Sequence, residues 1–365
     1  MKVAVIGAGI AGLSCAWELR KAGMDVEVFE KHATVGGRMN TRTKNGLAFD
    51  VGANFLIGAY TSVNALALEM GVALRNASPV AHIVYRNGHP YSMNLNSIRS
   101  IFRMGALDVR SRVRLLAFVL KVRSEHAGLD FFDLGLAPDA LNHEDAYAYA
   151  RREVGQEFAD YIVDSFNSCM MFSRSSETSA AAFLSLFGMM ADPANDFSVH
   201  YADGDMRAMP QALANRLGVH CDRQVVVLER HGAGWRVVTT DSTSVFERVV
   251  LAVTPCAALG FLKSGAEPQR LLLAQSRYAS TINVSFRVPK ETLGHTHCFY
   301  VPYVENQIIS EFTNESLKGD DTRDGQGQGG LFLCGDYMNA PWIEGARRSG
   351  QKVARQLIRG RTSAI

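Results

Sequence analysis

An α/β fold built on a parallel sheet is predicted by three observations at the start of the chain. Val3-Ala4-Val5-Ile6 is a short apolar run rich in β-branched residues, suited to a strand buried on both faces. Gly7-Ala8-Gly9-Ile10-Ala11-Gly12 follows without a gap, and Leu13 to Lys21 reads as a helix that stops at Gly23. A second strand, Val26 to Phe29, ends at Glu30. Strand, glycine turn, helix, strand and acid come in the order of a Rossmann-like dinucleotide-binding unit.

Each position in the turn has a physical reason. Gly7 permits the tight turn, Gly9 lets a diphosphate approach the backbone, and Gly12 lets helix and strand pack closely. The N-terminus of the helix that follows offers unpaired N–H groups and a positive dipole end to the phosphates, and Ile10 and Ala11 join the binding candidates. Glu30 is placed to accept hydrogen bonds from an adenosine ribose and repels a 2′-phosphate. Lys31, beside it, joins the binding candidates.

The next block is Val35-Gly36-Gly37-Arg38-Met39-Asn40-Thr41, followed by Phe49-Asp50-Val51-Gly52-Ala53-Asn54, and it does not belong to a nicotinamide fold. Adjacent glycines let the chain pass close to a bulky ligand, and Arg38 sets a fork of donors against phosphate. On these residues the chain resembles the flavin-containing amine oxidase superfamily, which includes monoamine and polyamine oxidases, protoporphyrinogen oxidases and phytoene-desaturase-like enzymes. The resemblance resumes at Tyr201 to Leu217 and closes with Gly330 to Asp336, Trp342 to Ala346 and Ser349-Gly350.

That resemblance implies FAD as cofactor, with Gly7, Gly9, Ile10, Ala11, Gly12, Glu30, Lys31, Gly36, Gly37, Arg38, Gly52, Ala53, Asn54, Val225, Gly335, Asp336, Ile343 and Ala346 around it. The strand holding Val225 would present its backbone to the adenine, with its register open between Val225 and Val227. Asp336 would hold a ribityl or phosphate oxygen, and the helix from Ile343 would aim its N-terminus at the flavin N1–O2 edge. Asn54 and Phe55 would face substrate or pack beneath the ring. Cys334, inside a strand, is expected to be a buried thiol and not a point of covalent attachment.

The implied architecture is α/β, a Rossmann-like FAD-binding domain interwoven with an α+β substrate domain. Residues 1–75, 203–262 and 330–365 would form the first, and 76–202 with 263–329 the second. Within the second, Ile83 to Arg86 and His89 to Met93 read as a hairpin around Asn87-Gly88. Helices are expected over 97–126, 143–152 and 156–173, with caps between Asp139 and Asp145. Strands are expected at Thr281 to Val288 and Cys298 to Pro302. The substrate domain reads as contracted near residues 317–330, where Gly319 to Gln328 is polar, glycine-rich and suited to a flexible link.

Composition sets limits. Hydrophobic residues make up 47% of 365, enough for a substantial core. A net charge of +2 offers no footprint for nucleic acid. Six cysteines lie scattered without metal-ligand spacing, so no metal is expected and reduced, mostly buried thiols of a cytoplasmic protein are. No run approaches the ~20 apolar residues of a membrane span. Arg99 to Arg123 interleaves arginines with apolar residues. It reads as a solvated face capping the substrate domain, weighed against peripheral contact with an anionic membrane.

The function implied is FAD-dependent oxidation, with hydride passing from a hydrophobic small molecule to the flavin by CH–CH or CH–NH dehydrogenation. Many amine oxidases of the superfamily carry a lysine on the strand matching Thr281 to Phe286; Thr281-Ile282-Asn283-Val284-Ser285-Phe286 has none. This tilts the reading toward carbon–carbon dehydrogenation. The alternatives are a peroxide-producing amine oxidase, and a flavin-binding scaffold whose turnover was lost. No catalytic residue is assigned; His82, Tyr201 and Tyr337 read as structural.

Overall fold

The computed structural model describes residues 1–44, 47–77, 79–95, 97–126, 128–132, 134, 137–192, 194–264, 267–276, 279, 282, 285–287, 292–314, 317, 330–332 and 343–362. Strand β1 (Lys2–Ile6) lies between two parallel neighbours, β2 (Asp25–Phe29) and the strand Arg248–Leu251. Its side chains alternate between two cores. Val3 and Val5 pack under helix α1 (Ile10–Lys21), while Ala4 and Ile6 face Val225, Val237 and Phe246. Burial on both faces is what the unbroken apolar run required.

The two ends of the chain meet on α1. Helix Ile343–Thr362 crosses it so closely that a Cβ on Gly350 would stand 2.2 Å from the Ala11 carbonyl oxygen. Arg347 Nη2 donates to Glu18 Oε1 at 2.9 Å across the same contact. On the opposite face of the parallel sheet, strands Val225–His231, Gly234–Thr239 and Thr243–Phe246 form an antiparallel meander.

The second half is a six-stranded sheet against helices. Its order is Ser285–Arg287, Gly330–Phe332, Glu311–Asn314, Thr296–Tyr300, Ala81–Arg86 and His89–Ser92. The Asn-Gly hairpin forms as expected: Asn87 has φ 51° and Gly88 φ 79°, the left-handed pair that a tight two-residue turn needs. Gly330–Phe332 pairs antiparallel with Glu311–Asn314 and Ser285–Arg287. This strand therefore joins the six-stranded sheet, although a boundary at 330 would assign it to the nucleotide-binding half. Residues 318–329 of the expected flexible link lie outside the described residues.

The helices pack around Phe118, Phe158, Phe183 and Phe187. The expected helix over 97–126 is two, Ile98–Phe102 and Val109–Glu125. Gly105 passes against the Tyr91 ring, where a Cβ would come within 2.8 Å, and Asp108 restarts the helix by accepting from Ser111 N at 2.6 Å. The stretch over 156–173 is broken by a π-turn at Ala159–Val163. Among the described residues, no helix is long and apolar enough to cross a membrane.

Candidate dinucleotide site and the seam beside it

The three glycines of the first turn differ in what surrounds them. A Cβ on Gly7 (φ +104°) would stand 2.5 Å from the Ala252 carbonyl oxygen, and one on Gly12 2.0 Å from the Gly7 carbonyl oxygen. One on Gly9 would meet nothing within 4 Å. Two glycines are therefore demanded by packing, and the third keeps open a space that the chain does not fill. Helix α1 begins at that space with no side-chain cap and no acidic residue in its first turn. Its leading N–H groups, at Ile10 to Gly12, precede the first helical bond from Leu13 N to Gly9 O. A diphosphate is the group such an end accepts.

The second glycine pair lies directly on the first turn. Gly36 N donates to Ala8 O at 2.8 Å, Gly36 bridges Gly9, and a Cβ on Gly37 would sit 3.5 Å from Gly9 Cα. Both Gly36 (φ +107°) and Gly37 (φ +56°) have backbone angles that other residues resist. Arg38 is exposed, and its carbonyl accepts from Ala53 N at 3.0 Å, which ties Gly52, Ala53 and the buried Asn54 to the same wall.

Glu30 closes the far side. Its buried carboxylate accepts from Ala8 N at 2.9 Å and from His32 N at 3.1 Å, while Lys31 beside it is exposed. Two oxygens offer about four lone pairs, so acceptor capacity remains for ribose hydroxyls. Arg223 N donates to Glu30 O at 2.8 Å, which ties the end of β2 to the segment entering the strand at Val225. The open register there is a β-bulge between Val225 and Val227, with Val225 turned into the core and Val226 exposed. Ile343 and Ala346 fall on the helix packed against α1. Gly335 and Asp336, with Cys334 and Tyr337, lie outside the described residues. The residues that are described fit an adenine dinucleotide: an open glycine, an uncapped helix and a buried acid within one loop of each other.

A second group of side chains fills the seam between the halves. Phe55, which follows Asn54, meets the His297 ring edge-on at 4.9 Å. His297 stands 5.6 Å from the His82 ring and 6.5 Å from Tyr201. His82 Nδ1 lies 3.1 Å from Tyr300 Oη, and Tyr300 packs on Phe166 at 5.9 Å. Burial lowers the His82 pKa to about 4, so its ring is neutral at physiological pH. Phe166 is also a wall of a small apolar cavity, lined further by Met93, Leu95, Ile162, Phe187 and Met190, with Asn167 as a polar group. The π-turn forms part of that wall.

Behind Tyr300, Cys169 Sγ donates to Glu311 Oε2 at 2.7 Å and Cys298 Sγ to Glu311 Oε1. Burial pushes both thiols up, Cys298 to about 11. His297, Tyr300 and Glu311 carried no signal in the sequence, because their neighbours are far along the chain. Thr281, Asn283 and Val284, in the lysine-free stretch from Thr281 to Phe286, lie outside the described residues. Of the cysteines expected to be mostly buried, Cys15, Cys169 and Cys298 are; Cys221 is half-buried and Cys256 exposed.

Fold and loop together define a dinucleotide-binding α/β oxidoreductase architecture with an inserted second domain. The chain belongs to the flavin containing amine oxidoreductase family, whose pattern matches residues 10–300, and FAD is the cofactor of this class. It is 31% identical over 170 residues to protoporphyrinogen oxidase 2 of Arabidopsis thaliana, a match covering 45% of this chain and 31% of that protein. It is 47% identical over 57 residues to 4,4′-diapophytoene desaturase of Staphylococcus aureus, covering 16% and 11%. The chain thus matches about a third or less of the length of these curated relatives. The fold matches putrescine oxidase bound to putrescine with a TM-score of 0.70 at 17% identity, over 92% of this chain and 76% of that one.

Proposed function

We propose that this protein removes hydride from a hydrophobic small molecule, dehydrogenating a C–C or C–N bond, with FAD as the acceptor. The observation that carries the reading is the aromatic line from Phe55, beside the dinucleotide loop, to Phe166 on the wall of the apolar cavity. FAD, when bound, supplies the hydride acceptor. The chain supplies the rest. Gly9 and the N–H groups of Ile10, Ala11 and Gly12 hold the diphosphate, Glu30 the ribose, and the bulged backbone at Val225 the adenine. Gly36, Gly37, Arg38, Gly52, Ala53 and Asn54 line the inner end, and Ile343 and Ala346 belong to the helix packed against α1. Phe55, Met93, Phe166 and Met190 exclude water and orient an apolar substrate. His82, braced by Tyr300 and kept neutral by burial, adds an uncharged polar group to this wall. In this reading residues 1–75, 203–262 and 330–365 serve the cofactor, and 76–202 with 263–329 the substrate.

Carbon–carbon dehydrogenation is favoured over amine oxidation by an apolar cavity and by the lack of a lysine between Thr281 and Phe286. The likeness in fold to putrescine oxidase supports the amine reading. Anaerobic bleaching of the flavin spectrum across porphyrinogens, polyenes and amines separates them. Bleaching by porphyrinogens or polyenes alone is the expected result. Bleaching by amines, with peroxide in air, moves the assignment; bleaching by dithionite only leaves a flavin-binding scaffold.

A peripheral membrane contact fits the same substrate class in a cytoplasmic protein. Ile98, Phe102, Val109, Val113 and Leu120 are exposed apolar side chains, and Arg99, Arg103, Arg110 and Arg114 are exposed among them. Each arginine near an anionic surface contributes about 1 kcal/mol. Co-sedimentation with anionic vesicles at low salt, lost at high salt, is expected; no binding at low salt restores the solvated-face reading.

A further inference from the structure

We propose that Cys169, Cys298 and Glu311 form a buried site for a thiophilic divalent cation of the zinc class, with a water molecule as the fourth ligand. The three donors come from three elements: helix Asp164–Met171, strand Thr296–Tyr300 and strand Glu311–Asn314. All three residues are buried, and their donor atoms lie within 4.8 Å of one another. The donors of His82, His297 and Cys298 meet the same limit, so Cys298 belongs to both groups.

The sheet explains the convergence. Cys298 sits on the middle of three adjacent strands, facing Thr313 across an antiparallel pair and His82 across a parallel one. The register slips between Thr296 and Cys298, where the strand carries His297 as an extra residue. Such a bulge re-aims side chains and sets successive residues on one side. Cys169 reaches this point from the helix laid against the sheet, and Glu311 bridges both sulfurs.

Two sulfurs and a carboxylate oxygen are three donors of a tetrahedral zinc set, with a water in the fourth position. Metal–sulfur bonds of ~2.3 Å and metal–oxygen bonds of ~2.0–2.2 Å need ligand atoms roughly 3.5 Å apart, within the span found here. The sulfurs now hydrogen-bonded to Glu311 would move apart by a fraction of an ångström. Binding replaces the two thiol protons, which leave to solvent, and no oxidant is needed. Two thiolates and a carboxylate against a dication leave one negative charge, set among the hydrogen-bond donors Tyr300 and Thr313. The site would pin the helix that carries Phe166 to the sheet, holding one cavity wall in place.

Cobalt supplies the test, since thiolate-bound tetrahedral Co²⁺ absorbs in the red, beyond oxidised flavin. Full-length protein is treated with chelator and titrated with Co²⁺, with and without flavin, while proton release is followed with an indicator. Red bands that saturate at stoichiometric metal, are displaced by Zn²⁺, persist in Cys256→Ser and vanish in Cys169→Ser and Cys298→Ser support the site. No bands in folded wild-type protein, or bands surviving both buried substitutions, overturn it. Because serine at a buried position can unfold the chain, wild-type melting is measured in parallel. Stoichiometric Zn²⁺ raises Tm if the site exists, and an unchanged Tm overturns it.

Discussion

The glycine-rich loop and the seam beside it are assembled in opposite ways. The contacts that set the turns of the loop are mostly made by residues between Gly7 and Met39, with Ala252, Pro210 and Gly350 packed behind them. The seam joins Phe55, His82, Phe166 and the pair His297 and Tyr300, which come from four separate stretches of chain. A local device depends on backbone angles and missing side chains; a non-local one depends on strands keeping register and on buried polar groups keeping partners. The two should therefore fail differently.

The largest effect is expected in the loop. Gly12→Val puts a branched side chain where even a Cβ would stand 2.0 Å from the Gly7 carbonyl oxygen. Overpacking costs about 3 kcal/mol. It should displace the helix end, so that purified protein is colourless after incubation with excess FAD. Retained flavin at wild-type affinity would show that the turn does not depend on Gly12.

In the second half, Arg174→Gln strips Asp164 of its guanidinium. Asp164 is 1% exposed and accepts from Arg174 Nε at 2.9 Å and from Ser175 N and Oγ at 2.9 and 2.7 Å. Leaving that charge buried costs roughly 3 kcal/mol, at the low end for such pairs because Arg174 is one-third exposed. Urea melts should show the loss while FAD titrations do not.

His82 makes the seam sensitive to acid. Its pKa falls from the ordinary 6.5 to about 4, so the unfolded chain binds a proton that the folded chain refuses. Its contribution is complete above pH 6.5, declines as pH falls toward 4 and is gone below. The total is about 3 kcal/mol at most, since His82 keeps some exposure. His82→Gln should flatten the stability–pH curve in that window; an unchanged slope assigns it elsewhere.

The smallest effect sharpens the loop's chemistry. Glu30→Gln keeps shape and a carbonyl acceptor but removes the charge offered to ribose. FAD should bind roughly tenfold more weakly, about 1.5 kcal/mol. Folding stability should fall by about 1 kcal/mol, because the amide NH2 would face one of the two backbone N–H donors from Ala8 and His32.

What could be read in advance follows the same division. Gly7, Gly9, Gly12, Glu30 and the Gly36-Gly37 pair were legible because each answers a need a few residues away: a turn, a helix start, a strand end. The Asn87-Gly88 hairpin was legible for the same reason. The register at Val225 was open because a bulge lies there, and alternation of side chains does not reveal which residue is extra. The break at Gly105 depends on Tyr91, and the π-turn at Ala159–Val163 has no signature in spacing. Nothing near Cys169 in the chain points to Glu311.

The sequence by itself determined the nucleotide-binding unit, its acid and the order of the elements, because short-range sterics and hydrophobic periodicity act within a few residues. Only the tertiary structure decided that Gly350 packs on Ala11. It also set His82, His297 and Tyr300 beside Phe55, and two buried thiols on one carboxylate. Those contacts exist because sheet register and helix packing bring distant segments within van der Waals range, and neither is written in the spacing of residues along the chain.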